Sequence, residues 1–287
     1  MNVFITGING FICSALAEAL CRRGHQVTGS VRNREKRLSA PQCAAQPFVI
    51  RLNEEVGQQI FRGVDVLIHG AYDFRKGKAN TNLAGTERLA QAALEAGVKE
   101  QIFIGSYSAH EAAISEYGQT KWKLEKFFTA RKQMVVKPGL VVGRGGLFFK
   151  TCSIFQRYPV VPLIDGGKGK LPVISIRDLT GAMIQLVENP KAGSYRLYNA
   201  EQVSLKELFV EIKRAGKFKT LLVPVPFQPL YLSLRTLEAV VPNFPVNTEN
   251  LKGFQANQAV YEPTDLYRFI PHPMTLADMI DAVFSTC

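Results

Sequence analysis

Tyr117 and Lys121, four residues apart, are the pair in this sequence best suited to proton transfer. On a helix this spacing puts both side chains on one face. A tyrosine with an unperturbed pKa of about 10 exchanges its proton poorly at neutral pH, but a nearby lysine cation lowers that pKa because it favours the phenolate. Ser106, at the end of an apolar run, adds a hydroxyl that can donate a hydrogen bond to a substrate oxygen. Ser106, Tyr117 and Lys121 are therefore the predicted catalytic residues, and the chemistry they favour is that of carbonyls and alcohols.

The Tyr-x-x-x-Lys spacing alone is weak evidence. Nine tyrosines, with Lys or Arg at 35 of 287 positions, give about one such pair by chance. Tyr72 and Lys76 form a second pair, but nothing in their segment indicates a helix, and we interpret them as the chance occurrence. The alternative for the first pair is a surface tyrosine and a solvated lysine near an ordinary turn serine, which the joint placement of the three residues disfavours.

The start of the chain predicts a phosphate-binding turn. A β-branched run over residues 2–6 is followed by a glycine-containing turn and by apolar positions at helical spacing from Phe11 onward. Gly7 permits the tight turn, Gly10 lets the backbone approach a pyrophosphate, and the helix N-terminus presents N–H groups to it. The third glycine of a G-x-x-G-x-x-G pattern is Cys13 here, which is small enough for the helix to pack on the strand. The turn residues predicted to bind a dinucleotide are Gly7, Asn9, Gly10, Phe11 and Ile12.

The end of the second predicted strand indicates which dinucleotide binds. An acidic residue there would hold a ribose 2′-hydroxyl, whereas an arginine would accept a 2′-phosphate. Residues 29–34 contain Ser30, Arg32 and Arg34 but no carboxylate, and the first acidic residue after them is Glu35. Ser30 and Arg32 therefore favour NADP over NAD, with Arg34 as a further candidate. The alternative is that these bases only form a solvated charged face.

Short apolar runs alternate with helical patterns as far as residue 137. Such alternation is typical of parallel strands that are buried on both faces and joined by right-handed crossovers. It predicts an α/β fold with a doubly wound parallel sheet of the Rossmann type. The predicted strands are 2–6, 26–31, 47–51, 64–69, 101–106 and 134–137, and helices are predicted over 82–96 and 115–130.

The regular alternation ends after Pro138. Residues 143–170 are rich in Gly, Pro and aromatics, and shorter elements return as a strand at 173–176, a helix at 178–188 and a strand at 195–198. Capping boxes at Ser204 and Thr275 start two later helices, and an apolar helix is predicted over 227–241. Residues 1–143, with 173–200 returning to them, form the predicted dinucleotide-binding domain. Residues 144–172 and 201–287 form a small interleaved C-terminal α/β cap for the substrate.

Together these motifs resemble the extended short-chain dehydrogenase/reductase family, which includes nucleotide-sugar epimerases, dehydratases and ketoreductases. The resemblance spans most of the first 190 residues and implies that Ser106, Tyr117 and Lys121 are the catalytic triad, with Lys121 also reaching the cofactor ribose. It further implies that Ala71 and Pro138 line the nicotinamide half of the cofactor. Asn82 corresponds to a position near the site, with a helix cap as the alternative. The matching segments are 6–13, 65–71, 82–86, 102–106, 117–121 and 137–139.

Departures from the family pattern narrow the predicted activity. Dehydratases follow the serine with an Asp-Glu pair, whereas this sequence continues Ser106-Tyr107-Ser108-Ala109. Many sugar epimerases carry Arg-Asp where this chain has Leu171-Pro172, which weakens a diphosphate site. The prediction is an NADP-dependent oxidoreductase that transfers a hydride to or from a carbonyl carbon, with a 4-keto nucleotide sugar as one candidate substrate. The alternatives are an NAD-dependent nucleotide-sugar epimerase and a non-catalytic NADP-binding sensor.

Composition limits the other function classes. A net charge of +11 with a pI near 9.5 favours anionic partners, but no nucleic-acid motif is visible and cofactor phosphates account for much of the charge. No run reaches the roughly 18 apolar residues of a membrane span, and the cysteines at 13, 21, 43, 152 and 287 show no metal or disulfide spacing. We expect a small-molecule substrate, no metal, no membrane or nucleic-acid partner, and a cytoplasmic location. In relatives, helices corresponding to 86–96 and 115–130 pair between subunits, so the resemblance also implies a homodimer.

Overall fold

The computed structural model describes residues 1–240, 247–260 and 262–285. Val241, the predicted end of the late apolar helix, and Cys287 lie outside this part. The chain forms two compact units. Unit one comprises Met1–Glu111, Glu116–Lys137 and Thr180–Tyr195, and unit two comprises Ala112–Ser115, Pro138–Leu179 and Arg196–Cys287.

Strands and helices alternate as far as the sixth strand, except that no α-helix lies between the second, third and fourth strands. Short 3-10 turns over Arg34–Ser39 and Gln58–Phe61 interrupt the longer connections. The elements are β1 (Asn2–Thr6), α1 (Phe11–Arg22), β2 (Gln26–Val31), β3 (Phe48–Val49), β4 (Val66–His69), α2 (Ala79–Glu95), β5 (Glu100–Ile104), α3 (Glu116–Ala130) and β6 (Met134–Pro138).

The rest of the chain contains shorter strands and six further helices among the described residues. Two more 3-10 turns cover Asp165–Gly167 and Leu266–Arg268. The elements are β7 (Leu140–Val142), α4 (Gly146–Arg157), β8 (Val160–Ile164), β9 (Lys170–Leu171), β10 (Val173–Ser175), α5 (Ile176–Glu188), β11 (Gly193–Leu197), β12 (Val203–Ser204), α6 (Leu205–Gly216), β13 (Leu221–Val225), α7 (Phe227–Val240), α8 (Thr248–Asn257) and α9 (Leu276–Phe284).

A seven-stranded sheet has the strand order β11-β6-β5-β4-β1-β2-β3. The ladders from β3 through β2, β1, β4 and β5 to β6 are all parallel. The order of the strands reverses at β1, because β2 lies on one side of it and β4 on the other. Open sheets of this kind bind ligands beyond the carboxyl ends of the strands at such a reversal. The fold confirms the predicted doubly wound α/β class.

Apolar clusters on the sheet explain the continuous hydrophobic runs. Val3, Phe4 and Ile5 of β1 are fully buried, as are Leu67 and Ile68 of β4. Removing each such side chain from water stabilises the fold by about 1.5–3 kcal/mol. Among the described residues of unit one, Phe4, Phe61, Leu67, Leu89, Ala93 and Val98 form one apolar cluster, and Ala90, Phe103, Leu124, Phe128 and Val135 form another.

Unit two has its own core, and it includes a helix that the sequence analysis missed. The segment 143–170, whose glycines and prolines suggest a loop, contains α4 and β8. Phe148, Cys152 and Phe155 of α4 are buried, at the helical spacing i, i+4, i+7. The capping signals at Ser204 and Thr275 are confirmed, since each side chain accepts a hydrogen bond from the backbone N–H three residues later. No helix of the described residues is long and apolar enough to cross a membrane.

Gly29 of β2 lies where the backbones of two strands approach closely. A Cβ at this position would overlap the carbonyl oxygen of Ile5 in β1 and lie 3.0 Å from the Cβ of Ile8. The turn after β1 is also tied to β2, because the backbone N–H of Ile8 donates to the carbonyl of Ser30 at 3.0 Å. Glycine at position 29 therefore lets β2 hold the first turn in place.

We expect Gly29→Ala to lower the free energy of unfolding by about 3 kcal/mol, because the added methyl group must displace packed backbone. Gly24→Ala is the control, since Gly24 has φ +85° and open space around it, so only the left-handed backbone is strained, at about 1 kcal/mol. Urea unfolding of both variants measures the difference. Equal losses would contradict the close approach of β2 to β1.

Candidate active site

The first turn forms a cradle at the carboxyl edge of unit one's sheet. Gly7 has φ +69°, and a Cβ there would lie 3.0 Å from the Cα of Ala71. The N–H of Gly10 donates to the carbonyl of Gly7 at 2.8 Å. The hydroxyl of Thr6 accepts from the N–H groups of Gly70 and Ala71 at 3.0 and 3.1 Å. The ends of β1 and β4 are therefore locked together beneath the turn.

The cradle opens onto the N-terminus of α1. Gly10 is the N-cap and, having no side chain, makes no side-chain capping bond. Asn9 lies in the turn, and Phe11 and Ile12 are the first helical residues. Backbone N–H groups at such an end attract an anion. A turn with no Cβ at positions 7 and 10, at a helix end whose N-cap is a glycine, fits a pyrophosphate.

Cys13 fits in place of the third glycine because residue 70 is itself a glycine. A Cβ at Gly70 would collide with the Sγ of Cys13, and Cys13 is 3% exposed. Burial raises the pKa of the Cys13 thiol to about 12, so the thiol stays protonated. Gly70 therefore leaves the room that the Cys13 side chain needs, and α1 packs closely on the sheet.

Ser30, near the end of β2, and Arg32, just after it, lie in different environments. Ser30 is buried, and its hydroxyl accepts from the N–H of Gly7 at 3.4 Å, so it supports the turn. Arg32 has an exposed side chain (59%), with a guanidinium nitrogen 3.7 Å from a carboxylate oxygen of Asp73. Arg75 binds the same carboxylate through Nε at 2.9 and 3.1 Å and is the main reason that the pKa of Asp73 lies below its usual range. Asp73 was not predicted from the sequence, because it follows β4 and a ribose-binding acid is expected after β2.

Lys121 places an ammonium group inside the site. It is 4% exposed, and Nζ donates to the carbonyl of Ile104, the last residue of β5, at 2.6 Å. Nζ also lies 4.6 Å from the centroid of the Phe103 ring and 5.0 Å from that of Tyr72. Burial lowers the pKa of Lys121 to about 7. Such a group changes charge near neutral pH, which is typical of functional sites.

Tyr117 lies one turn before Lys121 in α3, with its ring centroid 5.9 Å from Nζ. Its hydroxyl is hydrogen-bonded to Ser106, whose Oγ also accepts from the N–H of Ser108 at 3.2 Å. Burial raises the pKa of Tyr117 and the bond to Ser106 opposes the rise. Burial therefore leaves the pKa of Tyr117 above its ordinary value, and the expected net lowering by Lys121 is not found. The structure thus brings Ser106, Tyr117 and Lys121 together around a neutral phenol, which can act as a proton donor.

Tyr72 also belongs to this cluster, although the sequence analysis assigned it to chance. Its ring centroid is 5.2 Å from that of Tyr117, and burial raises the pKa of its hydroxyl. The lysine that contacts the Tyr72 ring is Lys121, and not Lys76, which the four-residue spacing suggested. The available signal was its position directly after Ala71 at the end of β4, since strand ends in this fold converge on the site.

Asn82 fixes the segment that follows Tyr72. Its side-chain oxygen accepts from the N–H of Asp73 at 2.8 Å, and its amide donates to the Asp73 carbonyl at 2.9 Å. The alternative of a helix cap is wrong, because α2 begins at Ala79 and Asn82 lies inside its first turn.

Of the two residues expected near the nicotinamide, Ala71 contacts the Gly7 turn and Pro138 is the last residue of β6. Among the described residues, no group of three or more His, Cys, Asp or Glu side chains could hold a metal.

Comparison with known proteins assigns these motifs to a family. Residues 3–200 match the model of the NAD dependent epimerase/dehydratase family. A UDP-glucose 4-epimerase of Vibrio cholerae is 25% identical over 170 residues, which cover 50% of this chain and 52% of that relative. A 4-hydroxy-2-methyl-3-oxo-4-farnesyl-3,4-dihydroquinoline-1-oxide ketoreductase of Stigmatella aurantiaca is 23% identical over 261 residues, covering 79% of this chain and 77% of the relative.

Solved structures share the fold. The UDP-glucose 4-epimerase of Thermotoga maritima with UDP-glucose has a TM-score of 0.74 and 16% identity, with 99% of this chain and 98% of that chain covered. At this identity the likeness establishes the common fold.

We expect Lys121→Met to remove a pH dependence of stability. The pKa of about 7 is below the ordinary value of about 10.4 for the unfolded chain, so the native state is penalised fully below pH 7 and the penalty disappears as the pH rises from about 7 to about 10. Relative to wild type, the melting temperature of Lys121→Met should be higher by several degrees at about pH 6, and this gain should shrink at about pH 9. Lys123→Met, at an exposed lysine on the same helix, is the control in thermal unfolding. A gain that is the same at both pH values would contradict the burial of the ammonium.

Proposed function

Because the chain belongs to the NAD dependent epimerase/dehydratase family, we propose that it is an NADP-dependent oxidoreductase that reduces a carbonyl group or oxidises the corresponding alcohol. The observation that carries the proposal is the buried Lys121 ammonium, 2.6 Å from the Ile104 carbonyl and next to a Tyr117 hydroxyl bonded to Ser106. The similarity to a ketoreductase over 79% of this chain supports the same reaction class.

The catalytic roles follow from the protonation states. Bound NADPH would supply the hydride for the carbonyl carbon. The hydroxyl of Tyr117 donates its proton to the carbonyl oxygen, and the Ser106 hydroxyl donates a hydrogen bond that stabilises charge on that oxygen. Lys121 in its ammonium form stabilises the phenolate left on Tyr117. In the oxidative direction the phenolate takes the alcohol proton back, and the same residues act in reverse.

The surroundings of Arg32 support NADP as the cofactor. Asp73 is neutralised mainly by Arg75, and Arg32 lies 3.7 Å from the carboxylate, which is beyond hydrogen-bond distance. An exposed ion pair of this kind contributes little free energy. A 2′-phosphate can therefore replace Asp73 as the partner of the Arg32 guanidinium. Arg34, also exposed, can add a second charge. The turn residues Gly7, Asn9, Gly10, Phe11 and Ile12 would hold the pyrophosphate, with Ser30 supporting the turn and Ala71 and Pro138 beside the nicotinamide.

An NAD-dependent nucleotide-sugar epimerase is the second candidate. The similarity to the UDP-glucose 4-epimerase of Vibrio cholerae favours it, although the chain spans about half the length of that relative. Leu171-Pro172 in place of Arg-Asp, and Arg32 in place of a ribose-binding acid, argue against it. Three further expectations stay predictions. They are that residues 144–172 and 201–287 select the substrate, that the protein is a homodimer, and that it is cytoplasmic.

We expect Tyr117→Phe to lower turnover at least about 100-fold, because a positioned acid contributes that much, while NADPH still binds. The assay follows loss of NADPH absorbance with a panel of ketones and 4-keto nucleotide sugars. Tyr267→Phe, at an exposed tyrosine of unit two, is the control. Retained turnover in Tyr117→Phe would exclude its role, and interconversion of UDP-sugars without net NADPH loss would favour the epimerase.

A further inference from the structure

Phe74 is the most exposed large hydrophobic side chain among the described residues, with 77% of its surface open to solvent. Single exposed apolar residues are common on protein surfaces. This one, however, is stacked on the candidate catalytic tyrosine: the Phe74 and Tyr117 ring centroids are 5.8 Å apart and the planes are 22° from parallel. An apolar ring kept in water beside the reacting hydroxyl indicates a role in the site.

Phe74 completes an aromatic wall formed by Tyr72, Phe74 and Tyr117. The Tyr72 ring centroid is 4.9 Å from that of Phe74 and 5.2 Å from that of Tyr117, with the planes tilted by 56° and 78°. Ring pairs at these distances and tilts attract each other. The aromatic wall is therefore preorganised in the protein alone.

Polar contacts hold the segment that carries Phe74. Asn82 binds both the N–H and the carbonyl of Asp73, and the Asp73 side chain binds Arg75 through the Nε of its guanidinium at 2.9 and 3.1 Å. The residues on both sides of Phe74 in the sequence are thus fixed to α2 and to each other.

The aromatic wall presents carbon surfaces to a ligand. The Tyr72 hydroxyl is hydrogen-bonded to Thr120 and Asn82, the Tyr117 hydroxyl is bonded to Ser106, and Phe74 has no polar side-chain atom. A sugar ring on such a surface can bury only its C–H faces, because any hydroxyl turned towards the rings loses hydrogen bonds to water without replacing them. A flat apolar ring loses none and removes apolar area from water.

We propose that Phe74 is a specificity-determining residue and that the substrate is a carbonyl compound with a flat, apolar ring system, which lies against Phe74 while the carbonyl oxygen reaches Tyr117. The proposal rests on the proposed function, because it assigns the substrate of the same site. The ring system takes no part in the bond changes: the carbonyl carbon gains the hydride from NADPH, and the oxygen gains the Tyr117 proton.

The test compares two methyl ketones, acetonaphthone and butanone, with the NADPH-loaded protein. We expect wild type to prefer acetonaphthone, and Phe74→Ala to lower kcat/KM for acetonaphthone about tenfold, mainly through KM. Phe74→Trp should restore the preference, because it restores a ring. Phe48→Ala is the control, since Phe48 is a partly exposed ring in β3, stacked on Phe4 at 6.0 Å. It should leave the ratio of the two ketones unchanged.

The outcomes separate this proposal from the proposed function. If wild type and Phe74→Ala both reduce a ketone and prefer acetonaphthone over butanone to the same degree, the role of Phe74 is overturned. The proposed oxidoreductase activity then still stands. A loss of NADPH affinity in Phe74→Ala as large as the loss for acetonaphthone also overturns it, because Phe74 would then serve the cofactor. If no ketone is reduced, fluorescence titration of the NADPH-loaded protein with acetonaphthone tests whether the aromatic wall binds a flat apolar ring. Binding that Phe74→Ala weakens supports the aromatic wall, and no binding overturns it.

Discussion

The buried ammonium group of Lys121 is the constraint on which the candidate site depends. An ammonium removed from water is costly unless hydrogen bonds and aromatic faces replace the lost hydration. Here the Ile104 carbonyl accepts a bond of 2.6 Å from it, and the rings of Phe103 and Tyr72 lie 4.6 and 5.0 Å away. These partners fix α3 against the end of β5, which in turn places Tyr117 one turn away and within reach of Ser106. The same constraint keeps the charge of Lys121 adjustable near neutral pH.

Local sequence patterns were sufficient to predict the elements and part of the site. Runs such as Val3–Ile5 are buried on both faces, so their lack of alternation correctly indicates parallel strands. The positive φ of Gly7 and its contact with Ala71 are local consequences of a tight strand-to-helix turn, which the glycine spacing indicates. The Tyr117 and Lys121 pair was identifiable because four-residue spacing on a helix puts two side chains on one face.

Contacts between distant segments account for what the sequence did not reveal. Cys13 is accommodated by Gly70 and Arg32 meets Asp73, and in both pairs the partner comes from β4 or just after it. Their pairing depends on the reversal of strand order at β1, which no local pattern encodes. Tyr72 was dismissed for the same reason, because its partner Lys121 belongs to another element. The helix α4 was missed although its buried spacing is regular, since glycines before it outweighed the apolar periodicity.

The central claim, that the carboxyl edge of this sheet binds NADP through the Gly7 turn and Arg32, is tested most directly by calorimetric titration with NADPH and with NADH. We expect wild type to bind NADPH at least about tenfold more tightly than NADH. Arg32→Ala should remove this preference by weakening NADPH alone, whereas Arg22→Ala, at an exposed arginine in the last turn of α1, should not. Tighter binding of NADH, or no binding of either dinucleotide, would contradict the account.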